Sequence, residues 1–70
     1  MISTERMLEL DNIRHSPGLS RVAARRLRES RDFNLDAAIR HDVRFEDKFM
    51  AQADKAEREL LYLLYGKSGG

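Results

Sequence analysis

Residues 35–65 read LDAAIRHDVRFEDKFMAQADKAERELLYLLY, and this stretch decides the predicted fold. It contains no Gly or Pro, and good helix formers fill most of it. We therefore predict one uninterrupted helix from Leu35 to Tyr65, roughly 46 Å long at about 1.5 Å per residue. A lone helix of this length cannot bury its own apolar stripe, so another segment must lie along it.

The residues before this stretch predict two shorter helices. The first covers residues 3–14, and either Ser3 or Thr4 can cap its start. Ser16-Pro17 then gives the signal of a new helix start, so we predict a second helix over residues 17–31. The sequence does not decide whether the chain kinks or fully reverses at Pro17.

A tight turn is predicted at Asp32-Phe33-Asn34, with Asn34 as the cap of the long helix. Gly66 supplies the stop signal, and residues 66–70 form a loose tail. Because a short turn makes its flanking helices antiparallel neighbours, residues 1–70 are expected to form one all-α domain. Its architecture is an antiparallel helical hairpin, with the first arm bent at Ser16-Pro17 and packed along the long C-terminal helix.

In that predicted hairpin Leu27 meets Ile39, and Ile13 meets Ala53 beyond the bend. The same register places Arg26 opposite Asp42, with Glu46 one turn further along. We predict a partly buried ion pair between Arg26 and one of these two acids. The alternative is that Arg26 lies along the apolar surface and extends its charged end into water.

The C-terminal end of the long helix carries more apolar surface than one partner arm can cover. A helix that is apolar on all sides is buried or forms an interface, and a small domain has little core of its own. We therefore predict a homodimer with a four-helix arrangement, and the alternative is that the N-terminal residues fold back over this end in a monomer. The predicted interface residues are Leu60, Leu61, Tyr62, Leu64 and Tyr65.

Composition excludes several classes of protein and site. The chain has no cysteine, so it can form neither a disulfide nor a thiolate metal site. No apolar run approaches the roughly 18 residues that a membrane span needs, and the N-terminal residues do not resemble a signal peptide. We expect a cytoplasmic protein.

Catalytic chemistry is not indicated by the sequence. His15 and His41 lack Cys or carboxylate partners at metal-ligand spacing, and no Gly-rich phosphate loop or activated nucleophile is present. We expect a protein that is not an enzyme, with no catalytic residues, no bound metal and no cofactor.

The formal net charge is +1, but the charge is unevenly distributed. Arg21, Arg25 and Arg28 share one helix face, with Arg31 nearby, and we predict that these four residues bind a partner. Arg and Tyr dominate interface energies, which favours a protein partner. A nucleic-acid-binding regulator that uses the same arginines is the alternative. A solvated helix face is the commonest outcome for such a run of charge.

Residues 22–38 resemble small bacterial anti-activators of the AraC-negative-regulator family. In that family a helix that ends near an aromatic turn is followed by a paired Ala, and a Trp comes after the pair. Here His41 stands near the place of that Trp. In size and helical content the chain is also similar to phage-encoded anti-activators that bind quorum-sensing transcription factors. The residues that carry the first resemblance are Ala23, Leu27, Phe33, Ala37 and Ala38.

These resemblances imply a small helical dimer that masks a transcription factor or another host protein. They imply an origin in a phage or mobile element, and no reaction of the protein's own.

Overall fold

The computed structural model describes residues 2–40 and 43–66 of the chain. Within these ranges there are three helices and no strand: α1 (Thr4–Arg14), α2 (Pro17–Arg40) and α3 (Val43–Tyr65). The predicted all-α class is confirmed. Residues 67–70 of the predicted tail lie outside the described residues.

The ends of the helices follow the local signals in the sequence. Ser3 caps α1, and its Oγ accepts a hydrogen bond from the Arg6 backbone N–H at 3.2 Å. Pro17 is the first residue of α2. After α3, the Gly66 N–H donates to the Tyr62 carbonyl oxygen at 2.8 Å, and Gly66 has a φ of 71°, which favours glycine.

The predicted turn at residues 32–34 is wrong, because α2 continues through it to Arg40. The single helix predicted over residues 35–65 is therefore also wrong. Asn34 caps no helix and is buried within α2, where its Nδ2 donates to the Ser30 carbonyl oxygen at 2.7 Å. Nothing in residues 32–34 prevents a helix, and the observed division gives α2 and α3 nearly equal lengths of 24 and 23 residues. Two helices of similar length can pack against each other along their whole length.

The packing of α2 on α3 follows a different register from the predicted one. Ala24 belongs to the same core cluster as Leu60 and Leu63, and Arg31 Nη1 lies 2.7 Å from Glu57 Oε2. The first half of α2 therefore lies beside the second half of α3. The predicted contact between Leu27 and Ile39 is impossible, since both residues belong to α2.

Helix α1 packs on the second half of α3 and runs in the same direction. Arg6 Nε lies 3.2 Å from Glu59 Oε1, and the Tyr62 hydroxyl donates to Asp11 Oδ2 at 3.1 Å. Residue numbers rise together in these two contacts, whereas they run in opposite senses between α2 and α3. The chain thus reverses at Ser16-Pro17, and the first arm does not continue in one direction past a bend.

The main core lies where α1 covers α2 and α3. Leu10 is fully buried there, with 0% of its surface exposed. The other buried members are Ile2, Ala24, Leu60 and Leu63, and the partly buried ones packed against them are Met7, Ile13, Ala23, Leu27 and Tyr62. The N-terminal residues therefore fold back over the leucine-rich end of α3, as the monomer alternative predicted.

Across residues 2–40 and 43–66, none of the helices combines the length and apolar character that crossing a membrane requires.

We predict that Leu10→Ala destabilises the protein by about 2–5 kcal/mol, because the change leaves a cavity in a core to which all three described helices contribute. Thermal unfolding followed by circular dichroism measures this. Leu8→Ala is the matched control, since Leu8 lies on the same helix and is 60% exposed. A loss of stability for Leu8→Ala equal to that for Leu10→Ala would contradict this account of the core.

The Arg6–Glu59 ion pair joins α1 to α3 in a partly buried position. The Glu59 side chain is 8% exposed and that of Arg6 is 36% exposed. The hydrogen bond to Glu59 is the main reason why the pKa of Arg6 is raised above its ordinary value. Removal of the guanidinium would leave a carboxylate with little access to water and no cation beside it.

We predict that Arg6→Met costs about 2–3 kcal/mol of stability, less than for a wholly buried pair because water reaches Arg6. Urea unfolding measures the change. Arg58→Met is the control, since Arg58 is an exposed arginine of α3 without an ion pair among the described residues. Equal midpoints for the two variants would show that the pair contributes nothing.

Candidate docking surface

The strongest candidate for a functional surface is the outer side of α2. Arg21, Arg25 and Arg28 are all exposed there. None of them forms an ion pair or hydrogen bond with any other side chain in the described parts of the chain. We refer to Arg21, Arg25 and Arg28 as the arginine stripe. Their spacing of three and four residues places them about 5–6 Å apart along one helix.

Several other arginines of the described residues are paired with acids, although Arg26 and Arg58 are exposed and unpaired like those of the stripe. Arg14 lies 3.6 Å from Asp11, and Arg40 lies 3.3 Å from Asp36. Arg6 pairs with Glu59 as described above. The fold therefore neutralises several arginines internally and leaves the charge of the stripe available to a partner.

Arg31, the fourth residue predicted to bind a partner, belongs to the contact between α2 and α3. Its Nη1 lies 2.7 Å from Glu57 Oε2, and its Nε lies 3.1 Å from Asp32 Oδ1. The hydrogen bond to Glu57, followed by that to Asp32, raises the pKa of Arg31 above its ordinary value. Arg31 is half-buried and engaged, so we leave it out of the candidate surface.

The structure does not bring Arg26 and Glu46 together. Both side chains are exposed, and Arg26 lies on the half of α2 that faces the far half of α3 from Glu46. The predicted pair depended on a turn at residues 32–34, which does not exist. Arg26 borders a shallow groove with Ile13 and Leu19, so its stem lies beside apolar side chains as in the predicted alternative. Asp42, the other predicted partner, lies outside the described residues.

The predicted dimer interface divides into two groups. Leu60 is buried in the core of its own chain, and Leu61 and Tyr62 are half-buried. Their assignment to a dimer interface rested on surplus apolar surface, which α1 covers. Leu64 and Tyr65 remain 39% and 67% exposed. The register of α2 on α3 places these two residues level with Arg21, at one end of the arginine stripe.

A cleft of about 690 Å³ lies between the start of α1 and the middle of α3. The Arg6–Glu59 pair lines it, together with Ile2, Ser3 and residues of α3. Sequence reasoning missed this pair. The available signal was Glu59 itself, which lies at helical spacing from the buried Ala56 and Leu63 and so falls on the buried side of α3.

No group of three or more His, Asp or Glu side chains is placed to hold a metal ion in the part of the chain that the structure describes. His15 has a local partner, because its Nδ1 donates to the Asp11 carbonyl oxygen at 2.6 Å. His41 lies outside the described residues. The described residues thus offer cationic and apolar surface for contact.

Tyr62 provides a measurable signature of the contact between α1 and α3. Burial, and then its hydrogen bond to Asp11, raise the pKa of Tyr62 above its ordinary value of 10.0. A raised pKa means that the folded state holds the phenol proton more tightly than the unfolded state does. The resulting stabilisation is complete below about pH 10 and is lost as the pH rises through the folded-state pKa.

We predict that Tyr62 titrates at higher pH in the folded protein than in concentrated urea, because the fold favours its neutral form. The chain has two tyrosines, so Tyr65→Phe leaves Tyr62 as the sole reporter in an ultraviolet absorbance titration. Asp11→Asn in the same background removes the carboxylate and is expected to bring the two midpoints closer. If Tyr62 titrates with the same midpoint in folded and unfolded Tyr65→Phe, the contact between Tyr62 and Asp11 is refuted.

Comparisons with models of protein families, with curated proteins and with solved structures find no match to this chain. The resemblance to small anti-activators therefore stays a prediction.

Proposed function

We propose that this protein is a small regulator that acts by docking on another protein through the arginine stripe. The observation that carries the proposal is that Arg21, Arg25 and Arg28 are exposed on one helix and have no partner among the described residues. An arginine binds a carboxylate through two parallel N–H groups, so three in a row match an acidic protein surface.

The position of the arginine stripe on a packed helix favours binding to a protein partner. The stripe lies on a helix of 24 residues that packs along α3, so the backbone that carries the three arginines needs no ordering when a partner binds. Leu64 and Tyr65 are exposed at the same end of the molecule and add apolar area and an aromatic ring. Arg and Tyr beside apolar residues are the side chains that supply most binding energy at protein interfaces.

The partner class that the resemblance to anti-activators implies is a transcription factor, or another protein of a phage host. In that role the docked protein covers a surface that the partner needs, and it inhibits without any reaction of its own. An acidic face on the partner, with an apolar centre, is the feature that this surface would recognise.

A nucleic-acid-binding regulator remains the second candidate, and the charges around the stripe favour a protein partner over it. Asp32 and Asp36 lie further along the exposed side of the same helix. Asp32 pairs with Arg31 and Asp36 pairs with Arg40, so the free positive charge of the stripe does not continue along α2 as a phosphate backbone lying on this helix would require.

The test is capture of partners by the tagged chain from an extract of its source organism, with and without nuclease. We predict that Arg25→Glu combined with Arg28→Glu reduces capture of a specific protein at least tenfold, because acidic side chains then face the partner's acids. The captured proteins are quantified by mass spectrometry. Helicity is expected to stay unchanged, since both positions are exposed and unpaired.

Lys48→Glu combined with Lys55→Glu is the matched control, because it changes the net charge equally at exposed positions of α3. This control should capture the same protein as the unmodified chain. Capture that the arginine changes leave intact would place the docking surface elsewhere. Recovery of nucleic acid alone would replace this proposal with the second candidate. The homodimeric four-helix arrangement also remains a proposal.

A further inference from the structure

The side of α2 and α3 that faces away from α1 has no covering helix among the described residues. Helix α1 meets α3 through Glu59 and Tyr62, whereas the Arg31–Glu57 pair lies on the opposite side of the two helices at 100° per residue. We call this opposite side the back face. Its apolar members are Leu35, Ile39, Met50, Leu61 and Leu64, and all except the half-buried Leu61 are exposed.

Charge on the back face is divided between its two ends. The arginine stripe lies at the end formed by the first half of α2 and the last turns of α3. Glu46 lies at the other end, at the start of α3, with Asp47 beside it at the edge of the face, and both are exposed. Neither acid has an ion-pair partner in residues 2–40 or 43–66. In the middle, Arg31 lies between Glu57 and Asp32, and Asp36 further along α2 pairs with Arg40.

A surface that is cationic at one end and acidic at the other is complementary to itself when turned end for end. We propose that a second copy of this chain binds the back face through a two-fold axis near the Arg31–Glu57 pair. The helices of the two copies then run antiparallel. The arginine stripe of each copy faces Glu46 and Asp47 of the other, and the apolar residues between the charged ends meet across the axis.

The dimensions and the side chains suit this arrangement. The molecule measures 40 × 22 × 17 Å, so one side offers roughly 700–900 Å², close to the ~800 Å² that each partner contributes to a standard stable interface. Ile39 is 84% exposed in a single copy, which is unusual for a large apolar side chain, and the second copy would cover it. A two-fold interface uses the same patch twice, as this surface requires.

The dimer has a consequence for the docking proposed above. The second copy covers the arginine stripe, so a protein partner would compete with self-association for the same arginines. This consequence rests on the proposed function, whereas the dimer itself does not.

The experiment is a charge exchange between two variants, followed by sedimentation equilibrium at low salt, where exposed charges are least screened. The first variant carries Arg25→Glu and Arg28→Glu. The second carries Glu46→Lys and Asp47→Lys. Each variant alone sets like charges against each other at both ends of the interface. A mixture of the two restores opposite charges at both ends.

We expect the unmodified chain to sediment at twice its monomer mass of 8.1 kDa. Each variant alone should be monomeric, with at least a tenfold weaker association, and the equimolar mixture should form a dimer again. A single chain with all four changes should also dimerise, which gives a second test independent of mixing. Lys48→Glu combined with Lys55→Glu, on the side that carries α1, should leave the dimer unchanged.

A monomer mass for the unmodified chain at every concentration would overturn the proposal. So would dimers that persist in each variant alone, or a mixture that stays monomeric while circular dichroism shows both variants folded. An unmodified chain that is monomeric, yet captures a protein partner that Arg25→Glu with Arg28→Glu releases, would remove this inference and leave the proposed function standing. A dimer that responds to the charge exchange as expected, with no protein partner captured, would remove the proposed function alone.

Discussion

The structure depends on covering the leucine-rich end of α3. Leu60 and Leu63 are 3% and 2% exposed, and the chain achieves this by folding α1 back beside α2. Leu10, on α1, is the side chain at the centre of this contact. Because a chain of 70 residues can form only a small core, covering this end with α1 is a large part of its apolar burial. The reversal at Ser16-Pro17 follows, since it brings α1 beside α2 and α3.

Local signals in the sequence predicted the helix ends well where they are chemically strong. Ser3, Pro17 and Gly66 act through a side-chain cap, a fixed backbone angle and a positive φ, and each occurs where expected. Asn34 was a misleading signal, because an Asn can cap a helix or lie inside one, and tertiary packing decides between these. Here its side chain bonds back to Ser30 within α2. The predicted register was wrong for the same reason, since a turn placed at residues 32–34 changes every pair of residues that face each other across the two helices.

The candidate site was predictable in part for the same reason. The arginine stripe follows from helical spacing alone. Its three residues lie on one helix both in the predicted helix over residues 17–31 and in α2, so the change in helix boundaries does not affect it. Predicting the Arg26 pair and the Leu60–Tyr65 interface required knowing which helix packs against each residue, and helical spacing does not give that information. That the three arginines of the stripe lack acidic partners within the described ranges became visible only in three dimensions. Arg6 and Arg31 find acids from distant parts of the chain, whereas Arg21, Arg25 and Arg28 find none among the described residues.

The core is uneven, so the end of α2 and α3 that packs on α1 is more stable than the end away from α1. Away from α1, the buried apolar side chains among the described residues of α2 and α3 are the small ones of Ala37, Ala38 and Ala53. These bury little area per residue, so separation of the two helices costs less free energy there than near Leu10. Amide hydrogens in the last turns of α2 should therefore exchange with solvent sooner than those around Ala24. Local unfolding would therefore begin at that end of α2 and α3 and proceed toward α1, while the cluster around Leu10 remains packed.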